Sequence, residues 1–294
     1  MTESIKPWTI ACVQMDVAFN QPDQNVRHIV AELERAASQS ARLVIFPECA
    51  ITGYSFQSRS EALAVATPLD SALIATIQAA CKRLNVFALV GTAEREGSLL
   101  HNTAVLLGPG GLVDRYRKTH LPWMGLDRFS TASSEPFRVV NLDGLKLGIL
   151  ICYDGSFPET CRALTLLGAD LVALPTNWPE GAIGVIRHLV AARALENHIF
   201  HAVCNRIGDE GGFHFLGRSR IAGPDGNWLA ISEDDEPALL VATIDPAWSR
   251  DKHLVRVPGL HEISRLADRR PDLYAPLTEP GLLPAKPSGW VPPN

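Results

Sequence analysis

The sequence predicts an α/β fold, arranged as a layered α-β-β-α sandwich. Two early segments, residues 9–15 and 42–46, are almost wholly apolar, which is typical of parallel strands covered by helices on both faces. Residues 20–40 and 68–85 carry apolar side chains at helical spacing and are predicted to be those helices. Later strands are joined by turns, most clearly at Gly108-Pro109-Gly110-Gly111, and this pattern predicts β-hairpins.

The remaining elements are predicted from the same patterns. Further helices are expected over residues 157–168 and 181–198. Further strands are expected over residues 86–93, 102–107, 112–117, 137–142, 145–151, 170–174, 199–205, 217–222, 228–232 and 238–244. A strand–helix–strand order near the start of the chain returns after Cys152. We expect a single domain over residues 1–275 and a proline-rich tail over residues 276–294.

Composition excludes several classes of protein. The 294 residues carry a net charge of −5 without a long basic run, so neither nucleic acid nor an anionic membrane is an expected partner. No apolar stretch approaches the roughly 20 residues that span a bilayer, and the N-terminus lacks a signal-peptide pattern. Six scattered cysteines without C-x-x-C pairs indicate free thiols in a reducing cytoplasm. His198 and His201 are three residues apart but straddle a helix–strand junction, so we expect no metal site.

Cys152 stands where a buried strand ends and a helix begins. The apolar run before it stops abruptly, and Ser156 with Glu159 forms an S-x-x-E pattern that predicts a capping box, with Pro158 in the first turn. Ligands bind at the carboxyl ends of strands in open α/β sheets. A helix N-terminus would also stabilise a thiolate. Cys152 is therefore a candidate nucleophile, and the alternative is a buried structural cysteine.

Two further polar residues follow strands that read as buried. Glu48 ends the second predicted strand, and Lys118 follows the second strand of the first hairpin. Buried glutamate and lysine are costly unless they are paired. The two residues are candidates for a functional pair, and the alternative is a solvated pair at the rim of the sheet.

An ordered series of motifs resembles the carbon–nitrogen hydrolases of the nitrilase superfamily over about residues 8–275. The matching segments are Phe46-Pro47-Glu48, Thr52-Gly53-Tyr54, residues 116–122, Ile151-Cys152-Tyr153-Asp154, Phe157-Pro158-Glu159, Pro175-Thr176-Asn177-Trp178, residues 192–197, Gly217-Arg218-Ser219 and residues 270–274. The resemblance implies the α-β-β-α sandwich of that superfamily, a homodimer or larger homo-oligomer, and no metal or organic cofactor. It also implies that Glu48, Lys118 and Cys152 form a catalytic triad.

These residue types suit the hydrolysis of an amide. A thiol must lose its proton before it attacks a carbonyl carbon, and Glu48 can act as the general base. Lys118 and the backbone N–H beside Cys152 can stabilise the oxyanion that forms. Glu159 is a glutamate and could in principle act in catalysis, but the predicted capping box explains its presence at this position.

The resemblance implies further site residues. Candidate substrate-pocket walls are Tyr54, Trp123, Tyr153, Asn177 and Trp178, for each of which ordinary packing is the alternative. The family carries an additional carboxylate, most often glutamate, in the loop between the lysine and the cysteine. Here the best match is Asp127, which has a shorter side chain, and the other acidic candidate is Glu135.

The leading functional hypothesis is cysteine-dependent hydrolysis of a small carboxylic amide to an acid and ammonia. The first alternative is an N-carbamoyl compound or a nitrile as substrate. Arg59, Arg128 and Arg206 could bind the carboxylate of a carbamoyl amino acid, whereas nitrilases tend to carry tryptophan where this chain has Tyr153. Less favoured alternatives are a glutamine-hydrolysing module of a synthetase and a non-catalytic binding protein; the chain has no nucleotide-binding P-loop motif.

Overall fold

The computed structural model describes residues 6–279. The chain divides into two compact units between Arg250 and Asp251. The predicted boundary at residue 275 stays a prediction, and residues 280–294 of the predicted tail lie outside the described residues.

The first unit contains fourteen of the described strands and all six described α-helices. Its strands are β1 (Trp8–Gln14), β2 (Leu43–Ile45), β3 (Phe87–Glu96), β4 (Leu99–Gly108), β5 (Gly111–Arg117), β6 (Val139–Leu142), β7 (Leu145–Ile149), β8 (Leu171–Thr176), β9 (Phe200–Asn205), β10 (Ile207–Glu210), β11 (Phe213–Leu216), β12 (Arg220–Ala222), β13 (Trp228–Ile231) and β14 (Ala238–Ile244). Its helices are α1 (Pro22–Ser38), α2 (Arg59–Val65), α3 (Ala72–Leu84), α4 (Pro158–Leu166), α5 (Val190–Asn197) and α6 (Pro246–Arg250).

Two six-stranded sheets form the centre of this unit. Their strand orders are β14-β1-β2-β3-β4-β5 and β13-β12-β9-β8-β7-β6. One hydrophobic cluster joins side chains from both sheets, including Ile10, Leu106, Leu147 and Val203. A second cluster packs α1 and α3 against the outer face of the first sheet. The predicted four-layer α-β-β-α sandwich is therefore confirmed.

The two sheets share one pairing pattern. From β14 to β5, and equally from β6 to β13, the successive pairs are antiparallel, parallel, parallel, antiparallel and antiparallel. The repeated strand–helix–strand order seen in the sequence is one part of this repeat. Consequently β2 and β8 occupy equivalent positions, and their carboxyl ends lead to Glu48 and Asn177 respectively.

Several local predictions were wrong. Helix α4 is capped by Phe157 without a side-chain hydrogen bond, so Ser156 and Glu159 form no capping box, although Pro158 does occupy the first turn. The predicted helix over residues 181–198 is interrupted, because Val185–Leu189 forms a π-helical turn before α5. Helix α2 and the β10–β11 hairpin were not predicted, since both are short.

The second unit, described by itself, is a small irregular region. It contains an antiparallel pair, β15 (Leu254–Val257) and β16 (His261–Ile263), followed by two short 3-10 turns at Pro271–Leu273 and Ala275–Leu277. In the part of the chain that the structure describes, no helix is both long and apolar enough to cross a membrane.

Candidate active site

Glu48, Lys118 and Asp127 meet in a space closed to solvent. The Lys118 Nζ donates hydrogen bonds to Glu48 Oε1 at 2.8 Å and to Asp127 Oδ2 at 2.6 Å. All three side chains are fully buried. The alternative of a solvated pair at the sheet rim is therefore wrong. Because ions in such surroundings are costly unless each has a partner, this is a built polar centre.

Local backbone structure brings these residues together. Lys118 directly follows β5, and its backbone N–H donates to the carbonyl of Asn102 on the neighbouring strand β4 at 2.8 Å. Glu48 lies in the turn after β2, which passes directly over Gly91 on β3. A Cβ atom at Gly91 would lie 2.5 Å or less from the backbone of Pro47 and Cys49. Glycine is needed there for the turn to approach the sheet.

Asp127 lies in a 3-10 turn, Gly125–Arg128, and is held by three donors. Besides Lys118, its carboxylate accepts from Tyr54 Oη at 2.8 Å and from Asn102 Nδ2 at 2.8 Å. Burial, together with the Glu48 charge, raises the pKa of Asp127 to about 6, although the Lys118 charge and the hydrogen bonds from Lys118 and Asn102 oppose the rise. Burial alone would lower the pKa of Lys118, but the carboxylates of Asp127 and Glu48 raise it well above its ordinary value. Lys118 is therefore a permanent cation.

Glu135 occupies a different environment. It lies at the surface and pairs with Arg115 at 3.2 Å and Arg138 at 2.7 Å. Of the two acidic candidates in this loop, the structure brings only Asp127 to Lys118. The shorter aspartate side chain reaches because the turn that carries it packs on Tyr54, whose backbone carbonyl accepts from the Leu126 N–H at 2.7 Å.

Cys152 begins a tight turn, Cys152–Ser156, with a positive φ of 46°. This left-handed conformation is uncommon outside glycine and marks strained positions at functional sites. The side chain is nearly buried, with 8% of the residue exposed. Cys152 is thus placed as a turn residue at the carboxyl end of β7, as the sequence indicated.

The resting thiol is neutral. Burial, and after it the charge of Glu48, raises the pKa of Cys152 to about 12, although Lys118, the Thr176 hydroxyl and the Asn177 backbone N–H each act to lower it. The expectation that a helix N-terminus would stabilise the thiolate is wrong, because α4 begins only at Pro158. A base must remove the proton when Cys152 reacts.

Asp154 connects the Cys152 turn to the segment that carries Lys118. Its Oδ1 accepts from Thr119 Oγ1 at 2.8 Å and from the backbone N–H of His120 at 2.9 Å. Its Oδ2 accepts from Tyr116 Oη at 2.9 Å and from the backbone N–H of Ile151 at 3.1 Å. From the sequence, Asp154 was named only as part of the motif around Cys152, and this link was missed.

The five predicted pocket residues have different environments. Trp123 and Tyr153 are partly exposed, and Tyr153 packs edge-on against Phe157. Tyr54 is buried and holds Asp127. Asn177 and Trp178 are buried after β8. Neither atom of the Asn177 side-chain amide has a hydrogen-bond partner among residues 6–279.

A cavity of about 190 Å³ adjoins the turn that carries Asp127. Trp123, Arg128, Gln57 and Phe213 are among the residues that line it. Two aromatic rings and several polar groups suit a small, partly polar molecule.

The candidate arginines have mainly structural partners. Arg206 is fully buried and pairs with Glu210 at 2.6 Å. Arg59 and Arg128 donate to backbone carbonyls of Ser98 and Phe56. Only Arg128 also lines the cavity. Within residues 6–279, no cluster of three or more histidine, cysteine or acidic side chains is arranged to hold a metal ion.

The chain matches the family model for carbon–nitrogen hydrolases over residues 9–252. It therefore belongs to the carbon–nitrogen hydrolases of the nitrilase superfamily, and it is a hydrolase that acts on carbon–nitrogen bonds.

Individual relatives agree with this assignment. The chain is 35% identical over 266 residues to a nitrilase of Pyrococcus abyssi. The matched region covers 90% of this chain and 98% of that protein. It is 30% identical over 240 residues to the 2-oxoglutaramate amidase of Bacillus subtilis, covering 81% of this chain and 91% of that protein.

Among solved structures, a mutant of the amidase from Nesterenkonia sp. AN1 matches with a TM-score of 0.75 and 28% identity, covering 90% of this chain and 95% of that one. In that structure the acetamide moiety of fluoroacetamide is covalently added at the active-site cysteine.

Proposed function

We propose that this protein is an amidase that uses Cys152 to hydrolyse a small carboxylic amide to the acid and ammonia. The observation that carries the proposal is the buried group of Glu48, Lys118 and Asp127, in which the charges of Glu48 and Lys118 act on a neutral thiol at Cys152. In the described chain, Glu48 Oε1 has two donors but Oε2 has no hydrogen-bond partner. That second oxygen is available to take a proton.

In the first step, Glu48 removes the thiol proton as the sulfur attacks the carbonyl carbon. A carbon–sulfur bond forms, and the carbonyl π electrons move onto oxygen. The Lys118 ammonium and the backbone N–H beside Cys152 stabilise that negative charge, which is often the largest single contribution to such catalysis. Lys118 suits this role because it remains protonated throughout.

In the second step, the oxyanion collapses and the carbon–nitrogen bond breaks. Glu48 returns its proton to the nitrogen, which leaves as ammonia, and a thioester remains on Cys152. Glu48 then takes a proton from water, whose oxygen attacks the thioester. Collapse of this second intermediate releases the acid and returns the proton to the sulfur. The steps use side-chain and backbone groups of this protein and water.

Asn177 and the aromatic residues near the site provide the proposed substrate contacts. The Asn177 amide is buried without a partner among the described residues, and a buried amide of this kind is costly unless something hydrogen-bonds it. We assign it to the amide group of the substrate. Trp123 and Tyr153 are proposed to border the acyl portion.

The test is ammonia release from a panel of substrates. The panel contains short aliphatic amides, 2-oxoglutaramate, an N-carbamoyl amino acid and an aliphatic nitrile. We expect the amides to be turned over and Cys152→Ala to abolish turnover. The matched control is Cys161→Ala, because Cys161 is also buried but its pKa is influenced by Arg193 and not by Glu48. Turnover by folded Cys152→Ala at the wild-type rate would refute the mechanism.

The alternative of a nitrile substrate has one supporting observation, the nitrilase relative from Pyrococcus abyssi. A nitrile that is hydrolysed with a higher kcat/KM than every amide in the panel would favour it. An N-carbamoyl preference would instead appear as ammonia release from the carbamoyl compound alone.

We also propose that the enzyme works in the cytoplasm. All six cysteines are free and buried, and unpaired thiols are usual in a reducing compartment. Fractionation of cells that express the chain tests this, since activity confined to a secreted fraction would contradict it.

A further inference from the structure

Asn102 on β4 joins the two carboxylates of the active site. Its Nδ2 donates to Glu48 Oε1 at 2.7 Å and to Asp127 Oδ1 at 2.8 Å. The Lys118 Nζ also donates to both carboxylates, to Glu48 Oε1 and to Asp127 Oδ2. Four hydrogen bonds thus form a closed ring in which one charged and one neutral donor hold two carboxylates together.

The orientation of the Asn102 amide is dictated by its neighbours. Both hydrogens of the NH₂ group are used by carboxylate oxygens, while Oδ1 faces the thiol of Cys49 at 3.7 Å. Turning the amide over would place its oxygen against two carboxylates and break two charge-assisted bonds, which are the stronger kind.

We propose that Asn102 is a positioning residue that sets Glu48 up as the base, an inference that rests on the amidase function proposed above. With Asn102 and Lys118 both on Oε1, the Oε2 atom is the one left to receive the thiol proton. Asn102 adds a second donor to the pair of carboxylates without adding a second positive charge.

The balance of charge explains why a neutral donor is needed. Two carboxylates and one ammonium carry a net charge of −1 in a buried space, and each carboxylate opposes ionisation of the other. The hydrogen bond from Asn102 lowers the pKa of Asp127 against the effect of burial. The other titratable groups that act on this centre are Cys49 and Tyr54, from the turn after β2, and Cys152, from the turn after β7. Without Asn102, Asp127 would retain its proton to higher pH, and the pair of carboxylates would lose the negative charge that balances Lys118.

The experiment measures alkylation of Cys152 by iodoacetamide against pH, with the modified peptide quantified by mass spectrometry. It requires no knowledge of the substrate. We expect Asn102→Leu to react about ten- to a hundredfold more slowly at pH 7 and its profile to move to higher pH by about one unit or more. Asn102→Asp keeps the size but adds a third carboxylate, so its profile should move further. Asn102→Ser keeps one donor and should be intermediate.

The matched control is Asn25→Leu. Asn25 is also buried, but within residues 6–279 its side chain bonds only to backbone groups of Ala18 and Ile51. A purely structural asparagine should lower the melting temperature without moving the pH profile. A folded Asn102→Leu or Asn102→Asp with the wild-type profile would overturn the proposal. Wild-type Cys152 reacting no faster than Cys161 would instead count against the proposed amidase mechanism.

Discussion

At the scale of single residues, the active site depends on how three buried charged side chains compensate one another. Lys118 is shared by Glu48 and Asp127, and all three side chains are shielded from water. Removing one member of such a group leaves the others without compensation, and the cost is large. Substitution of one of these side chains should therefore lower the rate of catalysis, and the loss can be assigned to the charged group that was removed.

The first prediction concerns Asp127. Asp127→Asn keeps the shape but cannot balance the Lys118 charge, so we expect kcat to fall by about two orders of magnitude. Asp127→Glu should be partly impaired, because an extra methylene displaces the carboxylate. Glu135→Gln is the control and should be nearly silent, since its partners are surface arginines. Steady-state kinetics of the three variants decide the matter, and a silent Asp127→Asn beside an inactive Glu135→Gln would reverse the assignment.

The second prediction concerns pH. The pKa of Asp127 is raised to about 6, so this carboxylate gains a proton as the pH falls through that value. A neutral Asp127 no longer compensates Lys118, and we therefore expect kcat/KM to fall as the pH is lowered through about 6. Measurement between pH 4.5 and 8.5 on a saturable amide tests this. Constant activity down to pH 5 would show that Asp127 is not required in its charged form.

At the scale of elements, the site depends on how one turn is fixed to the next. Asp154 accepts hydrogen bonds from the segment that contains Lys118 and from the segment that contains Cys152. The two segments follow strands of different sheets. Tyr116 and Ile151 bond to one of its oxygens, and Thr119 and His120 bond to the other. This junction sets the spacing between the lysine and the nucleophile.

The third prediction tests that junction. Asp154→Asn retains one acceptor oxygen and should lower both kcat and the melting temperature, the latter by several degrees, since a buried unsatisfied group costs about 1–3 kcal/mol. Tyr116→Phe removes a single bond and should have a smaller effect. Asp209→Asn serves as the control, because that aspartate pairs with His214 at the surface. Equal melting temperatures for Asp154→Asn and Asp209→Asn would contradict the role given to Asp154.

The sequence indicated the strand ends that bear Glu48, Lys118 and Cys152, because an apolar run that stops at a polar residue is a local signal. Asn102 was missed because its bonds to the two carboxylates join residues 25 and 54 positions apart. Asp154 was missed because its bonds to the segment of Lys118 join residues 34 to 38 positions apart. Only the pairing of β4 with β3 and β5, and the packing of the two sheets, bring those partners together. The one available signal for Asn102 was an asparagine at the start of a predicted strand, residues 102–107, that is otherwise largely apolar. The direction of the Cys152 pKa shift was also hidden, since it depends on burial in three dimensions.

At the scale of the whole molecule, the first unit shows exposed apolar residues on adjacent helices. Leu166 at the end of α4 is 51% exposed, and Leu167 after it is 54% exposed. A bond from Arg162 on α4 to the Glu196 carbonyl links this helix to α5, where Leu195 is also exposed. Grouped apolar side chains of this kind often mark a protein–protein interface.

The fourth prediction is therefore that the protein forms a homo-oligomer, at least a dimer. The double variant Leu166→Glu with Leu167→Glu should lower the measured mass, because it places charges on the apolar surface. Leu112→Glu is the matched control, since Leu112 on β5 is equally exposed at 51%. Light scattering at micromolar concentration provides the measurement, and a monomeric wild type would contradict the prediction.

The position of β14 has a consequence for how the chain folds as it is made. Strand β1 is an interior strand of its sheet, because β14 pairs along its full length from Trp8↔Ile244 to Gln14↔Ala238. On the ribosome, β1 emerges early, but its outer partner follows about 230 residues later, or roughly 10–50 s at ordinary rates of synthesis. During that interval the hydrogen-bonding edge of β1 is uncovered and can pair with other chains. Nascent chains released before Ala238 should consequently be far less soluble than chains released after Arg250. Centrifugation of released translation products truncated at the two positions would measure the difference.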